Sequence, residues 1–445
     1  MRREGAGYAA SDRLSRGRTG HGGALSSPVD ATKSTGHRGS MRRLLMASLV
    51  VGPGLMVMLA DTDAGSVVTA AQSGALWGYS MLLPQLLLVP VLYVVQEMTV
   101  RLGVLTGRGH GELIREVFGW PWAWLSVVTL FVAAVGALVT EFAGIAGVAE
   151  LFGVPPAYPV ILAALLLIAL GLGGGYRRVE IVGIALGLFE LLFLPAALMA
   201  HPSAAAIVRG VGHLPLGDHG YLMLLAANVG AVIMPWMVFY QQGAVIDKGL
   251  RPRQLRGARL DTLLGAVVTQ LVMIFVVIAV AATIGRSGHP SALWGIPEIS
   301  RALQPFLGFA GAKLAFGLGI LGASLVAAIV VSVAAAFGIG EAFGCPHSLN
   351  RSVGEAPHFY FAYALALALG AAVVLTGIPL VHLTIDIEVM NAILLPIVLG
   401  FLLALEARAL PARARMHGPY RWFVYLATGS VILIGLVTTF HAVLG

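Results

Sequence analysis

The sequence has 445 residues, of which 58% are hydrophobic and 11% are charged, and its mean hydropathy is +0.88. A soluble domain usually has about a quarter of its residues charged, so this composition excludes an ordinary soluble protein. The formal net charge of +7 is typical of a membrane protein with basic cytoplasmic loops and does not indicate a nucleic-acid partner. The single cysteine excludes a disulfide framework and a thiolate metal cluster.

Residues 1–40 differ from the rest of the chain, because they contain few large apolar residues and many glycine, serine and arginine residues. A segment of this kind cannot bury enough apolar surface to fold, so it is predicted to be a disordered cytoplasmic tail. Residues 41–445 are predicted to form one transmembrane transporter domain. The first apolar run contains two aspartates and no convincing cleavage site, which argues against a signal peptide.

Apolar runs of about 20 residues, long enough to cross a bilayer, recur from residue 44 almost to the C-terminus. Only helices and closed barrels satisfy their own backbone in lipid, and the alternating segments of a barrel are absent. The predicted fold class is therefore an all-α polytopic membrane protein. Eleven spans are predicted near residues 44–72, 79–101, 121–151, 155–175, 178–200, 219–246, 260–285, 308–338, 359–378, 380–406 and 420–442.

The basic residues are distributed unevenly between the two sets of alternate loops. One set holds little beyond Arg209, Arg286 and Arg301. By the positive-inside rule, the other set is cytoplasmic, so the N-terminus is predicted inside and the C-terminus outside a multi-pass protein of the inner (plasma) membrane. The predicted cytoplasmic loops contain Arg101, Arg108, Arg115, Arg177, Arg178, Lys248, Arg251, Arg253, Arg256, Arg259, Arg351, Arg408, Arg413 and Arg415.

Two predicted spans carry helix-breaking residues near their middle. The first reads LADTDAGSVVT, with Asp61, Asp63 and Gly65, and the sixth reads NVGAVIMPW, with Gly230 and Pro235. Proline removes a helix hydrogen bond, and glycine lets the chain leave helical geometry. Broken spans at matching positions five helices apart indicate an inverted-repeat transporter, helices 1–5 and 6–10, with its site at the midplane.

Acidic residues and a thioether lie at these breaks. A carboxylate at the bilayer centre costs roughly 3 kcal/mol, and the first span has no lysine or arginine to compensate Asp61 and Asp63. At least one of them is predicted to bind a cation; the alternative is that both are protonated or bond to the opened backbone. Met234, beside the second break, is either a ligand that favours softer metals or a packing residue.

The first broken span also carries a family resemblance. GPGLMVMLADTDAGSVVTAAQSGALWGYS resembles the first helix of the Nramp divalent-metal transporters, whose signature is Asp-Pro-Gly-Asn. In register, Asp63 takes the place of the metal-binding aspartate. Ala64 and Gly65 then take the places of the proline and glycine, and Ser66 that of the asparagine.

The resemblance extends over most of the chain from about Gly52. RLGVLTGR is similar to the segment after the family's second helix, and TEFAGIAGVAELFGVP to its third, with Glu141 at a family carboxylate. GAVIMPW resembles the sixth-helix motif Ala-x-x-Met-Pro-His, in which Ala231 supplies a backbone carbonyl and Met234 a thioether. The resemblance implies a LeuT-type fold, alternating access, no cofactor and a divalent cation as substrate, bound by Asp63, Ser66, Ala231 and Met234. Asp61 has no counterpart in the family motif and is predicted to add further charge to the site.

The departures from the family pattern concern proton coupling and metal choice. Trp236 and Gln241 stand where the sixth helix has histidines, and Leu138 stands where the third helix has its proton-accepting aspartate. With Ser66 for asparagine and the extra Asp61, the pattern is similar to the Nramp-related magnesium transporters, which take Mg²⁺ and Mn²⁺ without proton coupling. Retention of the thioether keeps a proton-coupled Mn²⁺ or Fe²⁺ transporter open as the alternative.

Several polar residues of the other spans are weaker candidates. Glu141 and Asn391 are predicted to face the cavity, and Asp386 and Glu388 to line an outer entrance. Rival functions are a sodium-coupled transporter of an organic solute and a membrane-embedded enzyme. The first is disfavoured because the aspartates would repel a substrate carboxylate. The second is disfavoured because the sequence shows no nucleophile–base or metal–histidine constellation and no HExxH motif. The absence of a GxxxxGK[ST] motif gives no support to ATP-driven transport. The sequence leaves the oligomeric state open.

Overall fold

The structure is a computed structural model, and it describes residues 52–199, 202–284, 293, 295–377 and 380–444. The predicted tail of residues 1–40 lies outside these ranges. Within them the chain is almost entirely helical and contains no strand. This confirms the all-α fold class.

The helices of the described residues are numbered here in chain order. Short 3-10 turns join some of them, at Gly78–Met81, Leu188–Leu192, Pro252–Gln254 and Ala412–Ala414. The helices are α1 (Pro53–Asp61), α2 (Ala64–Trp77), α3 (Leu82–Thr106), α4 (His110–Phe118), α5 (Trp120–Leu151), α6 (Ala157–Leu172), α7 (Tyr176–Gly187), α8 (Phe193–Met199), α9 (Ala204–Val211), α10 (His219–Val232), α11 (Pro235–Asp247), α12 (Leu255–Thr283), α13 (Ile296–Phe343), α14 (Pro357–Val374), α15 (Leu380–Ala409) and α16 (Gly418–Leu444).

Eight helical segments among the described residues are long and apolar enough to cross a membrane, and α6 is a shorter apolar helix. The fifth predicted span is divided into α7, a 3-10 turn and α8, so none of its pieces reaches that length. Helices are nevertheless found at each of the eleven predicted positions. The number of membrane crossings itself stays a prediction.

Small residues let the central helices approach closely, as is common in membrane bundles. At Gly144 of α5, an added Cβ would meet the Ser324 hydroxyl of α13 and lie 2.5 Å from the Ala64 Cβ. At Gly230 of α10, it would overlap the Glu388 carbonyl of α15 and lie 2.8 Å from the Ala392 nitrogen. These contacts hold α5 against α2 and α15 against α10, around the two predicted breaks.

The start of α1 is anchored to α12 by one carboxylate. The backbone N–H groups of Gly52 and Gly54 both donate to Asp261 Oδ2, at 3.1 and 2.8 Å. An ion pair between Lys248 and Glu180, with Nζ and Oε1 2.8 Å apart, lies against Gly52. The carboxylate thus satisfies two of the amides that a helix N-terminus leaves without partners, and it fixes the end of α1 that leads to the first break.

The close contact at Gly230 predicts that a methyl group added there lowers stability more than one added at an open position of α15. Gly230→Ala should lower the free energy of unfolding by roughly 1–3 kcal/mol, since the new Cβ has backbone, not a flexible side chain, in its way. Gly400→Ala in α15 is the matched control, because open space surrounds that position. The apparent Tm in detergent measures both, and equal Tm values for the two variants would contradict the assigned contact.

Candidate cation-binding site

The first break separates α1 from α2 at two residues. Thr62 has φ −80° and ψ 44°, and Asp63 is extended with φ −73° and ψ 176°. Asp63 caps α2, because its Oδ1 accepts a hydrogen bond of 2.6 Å from the Ser66 backbone N–H. Its Oδ2 is buried and accepts no hydrogen bond from any described residue. The cap leaves one carboxylate oxygen available at the break.

The second break lies at Ile233 and Met234, between α10 and α11. Both residues are non-helical, with φ −125°, ψ 85° and φ −92°, ψ 141°. Pro235 is the first residue of α11, where its fixed φ suits a helix start. In a continuous helix the Ala231 carbonyl would accept the N–H of residue 235, and proline has none. The proline therefore frees the carbonyl of Ala231.

One hydrogen bond joins the two breaks. The Ser66 hydroxyl donates to the Ala231 carbonyl at 2.9 Å. A carbonyl oxygen has two lone pairs, so Ala231 retains acceptor capacity after this bond. On the other side of the break, the Trp236 indole Nε1–H donates to the Met234 sulfur at 3.2 Å. The structure thus brings Ser66 and Ala231 together, whereas the thioether contacts Trp236.

Two further carboxylates lie against the start of α2. Glu141 of α5 accepts a hydrogen bond of 3.3 Å from the Ala64 N–H through Oε2. Glu388 of α15 lies over Gly65, so that a Cβ on this glycine would meet Glu388 Oε1. Asn391 donates to Glu388 Oε2 at 3.0 Å. Glu388 Oε1 and Asn391 Oδ1 are buried and accept no hydrogen bond from the described residues.

Asp61 lies at the end of α1, on the other side of the break. It interacts electrostatically with Asp63 and Glu388 and is hydrogen-bonded to Thr269 of α12. Its Oδ1 is buried and accepts no hydrogen bond within the described chain. Glu190, from the 3-10 turn between α7 and α8, also interacts with both aspartates. Both aspartates are therefore buried in one acidic region.

The acidic region has no basic counterpart. Among the described residues, no lysine or arginine forms an ion pair with any of its carboxyl groups. A buried carboxylate without a partner is costly, and a bound cation removes that cost. No three histidine, cysteine or acidic side chains of the described chain lie close enough to hold a metal together. A bound ion therefore depends on backbone, hydroxyl or thioether groups as well. The carboxyl groups concerned are Asp61, Asp63, Glu141, Glu190 and Glu388.

Two of the remaining candidates point away from this region. Gln241 donates from Nε2 to the Thr262 hydroxyl of α12 at 2.9 Å, about two turns beyond the second break. Leu138 packs against α14, where a Cβ on Gly370 would lie 2.6 Å from its own Cβ. Asn391, by contrast, is part of the acidic region through Glu388.

The predicted entrance role of Glu388 is wrong. Asp386 is exposed, but Glu388 is fully buried over the first break. The reason is helical geometry: side chains two residues apart diverge by about 200°, so Asp386 and Glu388 lie on different faces of α15. The signal was present in the sequence, because Glu388 and Asn391 are three residues apart and share one helix face.

The two broken helices around a buried acidic centre define the class as a LeuT-type helical membrane protein. The sequence pattern of one family, Nramp, described as natural resistance-associated macrophage protein-like, matches residues 54–441. The chain belongs to the Nramp family.

Individual relatives agree with this assignment. The chain is 26% identical over 422 residues to a divalent metal cation transporter MntH of Verminephrobacter eiseniae, covering 91% of each protein. It is 30% identical over 302 residues to the MntH of Erwinia tasmaniensis, covering 64% of this chain and 70% of the relative. The fold is similar to that of a manganese transporter from Eremococcus coleocola, with a TM-score of 0.73, 17% identity and coverage of 88% and 87%.

Proposed function

We propose that this protein carries a divalent metal cation across the membrane and binds it between the two helix breaks. The observation that supports the proposal is that a carboxylate oxygen without a hydrogen bond and a backbone carbonyl without a helix partner occur at the two breaks. Asp63 Oδ2 has no donor among the described residues, and Pro235 leaves the Ala231 carbonyl without a helix partner. Oxygen donors of these two kinds are those that hard divalent cations prefer. The MntH relatives are named divalent metal cation transporters.

The proposed ligand set has a charged side and a neutral side. Asp63 supplies the main charge, and Asp61 adds further charge directly or through metal-bound water. Ser66 and Ala231 supply neutral oxygen, with the Ser66 hydroxyl turning from the carbonyl to the ion. Glu388 belongs to the charged side as well, since its free Oε1 lies over Gly65, beside the cap of α2.

The same arrangement favours hard ions. The Met234 sulfur already accepts the Trp236 N–H, so a metal must compete with that bond for the thioether. Carboxylate, hydroxyl and carbonyl oxygens suit Mg²⁺ and Mn²⁺. We therefore assign Mg²⁺ or Mn²⁺ as the cargo, in a cycle of alternating access in which one helical bundle rocks against the other around the site.

One alternative function is also supported by the positions of particular residues. A proton-coupled Mn²⁺ or Fe²⁺ transporter would use the thioether as a ligand and Glu141 as a proton carrier. Met234 is at the second break, and Glu141 contacts Ala64 beside Asp63. A sodium-coupled transporter of an organic acid has no such support, because the acidic region would repel a substrate carboxylate.

Substitution of Asp63 tests the proposed metal site. Asp63→Ala should weaken Mn²⁺ binding by about two orders of magnitude, since loss of one member of a buried charge pair costs roughly 2–5 kcal/mol. Calorimetry on the purified protein measures the affinity. Asp386→Ala is the matched control, because it removes an exposed carboxylate from α15 and should leave the affinity unchanged. Near-parental affinity in folded Asp63→Ala protein would refute the site.

Met234 distinguishes the two choices of metal. If the sulfur is a ligand, Met234→Ala should weaken Cd²⁺ and Mn²⁺ binding much more than Mg²⁺ binding, because sulfur prefers softer ions. Met237→Ala, three residues further along the chain in α11 and equally buried, controls for lost packing. Competition calorimetry measures the affinity of each variant for the three metals. A uniform loss for all three would show that Met234 acts through packing alone.

Transport is expected not to be tightly coupled to protons. Histidine titrates near neutral pH without any perturbation, and Trp236 and Gln241 occupy the two histidine positions. In liposomes with an internal pH dye, an inward metal gradient should drive uptake with little acidification, and an imposed pH gradient should add little. Acidification that follows metal entry and disappears in Glu141→Gln would establish the proton-coupled alternative instead.

A further inference from the structure

A second polar cavity lies apart from the helix breaks, at the membrane side that is predicted to be cytoplasmic. Its volume is about 690 Å³, and it lies where α3 and α15 end and α12 begins. Its polar lining comes from Glu97, Arg101, Arg259, Arg413, Arg415 and His417.

One buried glutamate organises the inner wall of this cavity. Glu97 Oε1 accepts from Arg259, through Nε at 2.8 Å and a terminal nitrogen at 2.6 Å. Its Oε2 accepts from Arg101 at 3.1 Å and from the Tyr420 hydroxyl at 3.0 Å. Both oxygens are therefore saturated, and Glu97 has no capacity left for a further basic group.

Arg101 is buried in the same wall but is not fully satisfied. One terminal nitrogen donates to Glu406 at 3.2 Å and to the Ala414 carbonyl at 3.0 Å, and the other donates to Glu97. Its Nε–H is buried without an acceptor in the described chain, although the side chain is only 4% exposed. An orphaned donor on a buried guanidinium is costly, so the charge of Arg101 is only partly compensated within the wall.

The outer wall adds positive charge that nothing in the wall neutralises. Arg413 and Arg415 are exposed. Arg415 donates only to the Leu410 carbonyl, and no ion pair of the described residues includes either arginine. The two carboxylates of the wall, Glu97 and Glu406, thus face four arginines. The cavity carries a net charge of about +2 before His417 is counted.

The cavity also has an apolar side that reaches towards the membrane. On α3, Tyr93 lies one turn from Glu97 towards the membrane interior, and Leu105 lies one turn beyond Arg101 at the other end. Leu255 of α12 completes this side. A soluble anion needs only the arginines, whereas a molecule with a charged head and apolar chains would use both sides.

We propose that this cavity binds the phosphate headgroup of an anionic phospholipid. The phosphate accepts hydrogen bonds from the terminal nitrogens of Arg413 and Arg415, and an acyl chain lies against Tyr93. Arginine suits this task because its planar fork matches phosphate geometry. Basic pockets between transmembrane helices on the cytoplasmic side are suited to such headgroups. The lipid joins three helix ends to the loop that precedes α16.

Binding of short-chain lipids to the full-length protein in detergent tests the proposal. The probes are dioctanoyl phosphatidylglycerol, dioctanoyl phosphatidylcholine and glycerol phosphate, and native mass spectrometry counts the bound molecules. Phosphatidylglycerol should bind saturably and in preference to phosphatidylcholine. The double variant Arg413→Gln/Arg415→Gln should bind it about tenfold more weakly or worse, because each basic group near the headgroup contributes to affinity.

The matched control removes the same charge elsewhere. Arg177→Gln/Arg178→Gln changes two exposed arginines of another predicted cytoplasmic loop and should leave lipid binding intact. The single variant Arg413→Gln loses no hydrogen bond of the described structure, so it tests the site even if the double variant folds poorly. Equal binding of both lipids, or equal loss in the control, would overturn the proposal. Glycerol phosphate binding as tightly as phosphatidylglycerol would overturn the lipid assignment in favour of a soluble phosphate.

Discussion

The hydrogen bond from the Ser66 hydroxyl to the Ala231 carbonyl is the contact on which the centre of the protein depends. A broken helix inside a membrane exposes backbone groups that lipid cannot satisfy. Here each break supplies partners for the other or for itself: Asp63 caps α2, Ser66 reaches Ala231, and Glu141 accepts from Ala64. The two breaks therefore have to lie together, and the acceptors that remain are the ones used by the proposed cation site.

Two glycines determine how the acidic side of this centre is built. Gly230 lets the backbone of α15 approach α10, and Gly65 leaves room for the Glu388 carboxyl over the first break. A side chain at either position would push Glu388 away from Asp63. The family motif keeps a glycine beside its aspartate, and in this chain the absence of that Cβ makes room for a third helix at the site.

The features that could be predicted from the sequence are those determined by neighbouring residues in the chain. The helices follow from apolar runs and backbone satisfaction, and the second break follows from Pro235 alone. The spacing of Glu388 to Asn391 indicates a shared helix face, but the position of Glu388 over Gly65 depends on a contact between residues more than 300 positions apart. The contact of the Met234 sulfur with Trp236 is local, but a motif that assigns this sulfur to a metal does not reveal it. Local chemistry thus predicted which residue types meet at the breaks, while packing determined their partners.

The anchoring of α1 by Asp261 sets an energetic cost on moving the start of this helix. A movement that separates the start of α1 from α12 must break two charge-assisted hydrogen bonds to one carboxylate. Such bonds contribute roughly 1.5–3 kcal/mol each, and every 1.4 kcal/mol changes a population about tenfold. A single side chain, at the end of α1 opposite the first break, thereby disfavours every conformation in which the start of α1 has left α12.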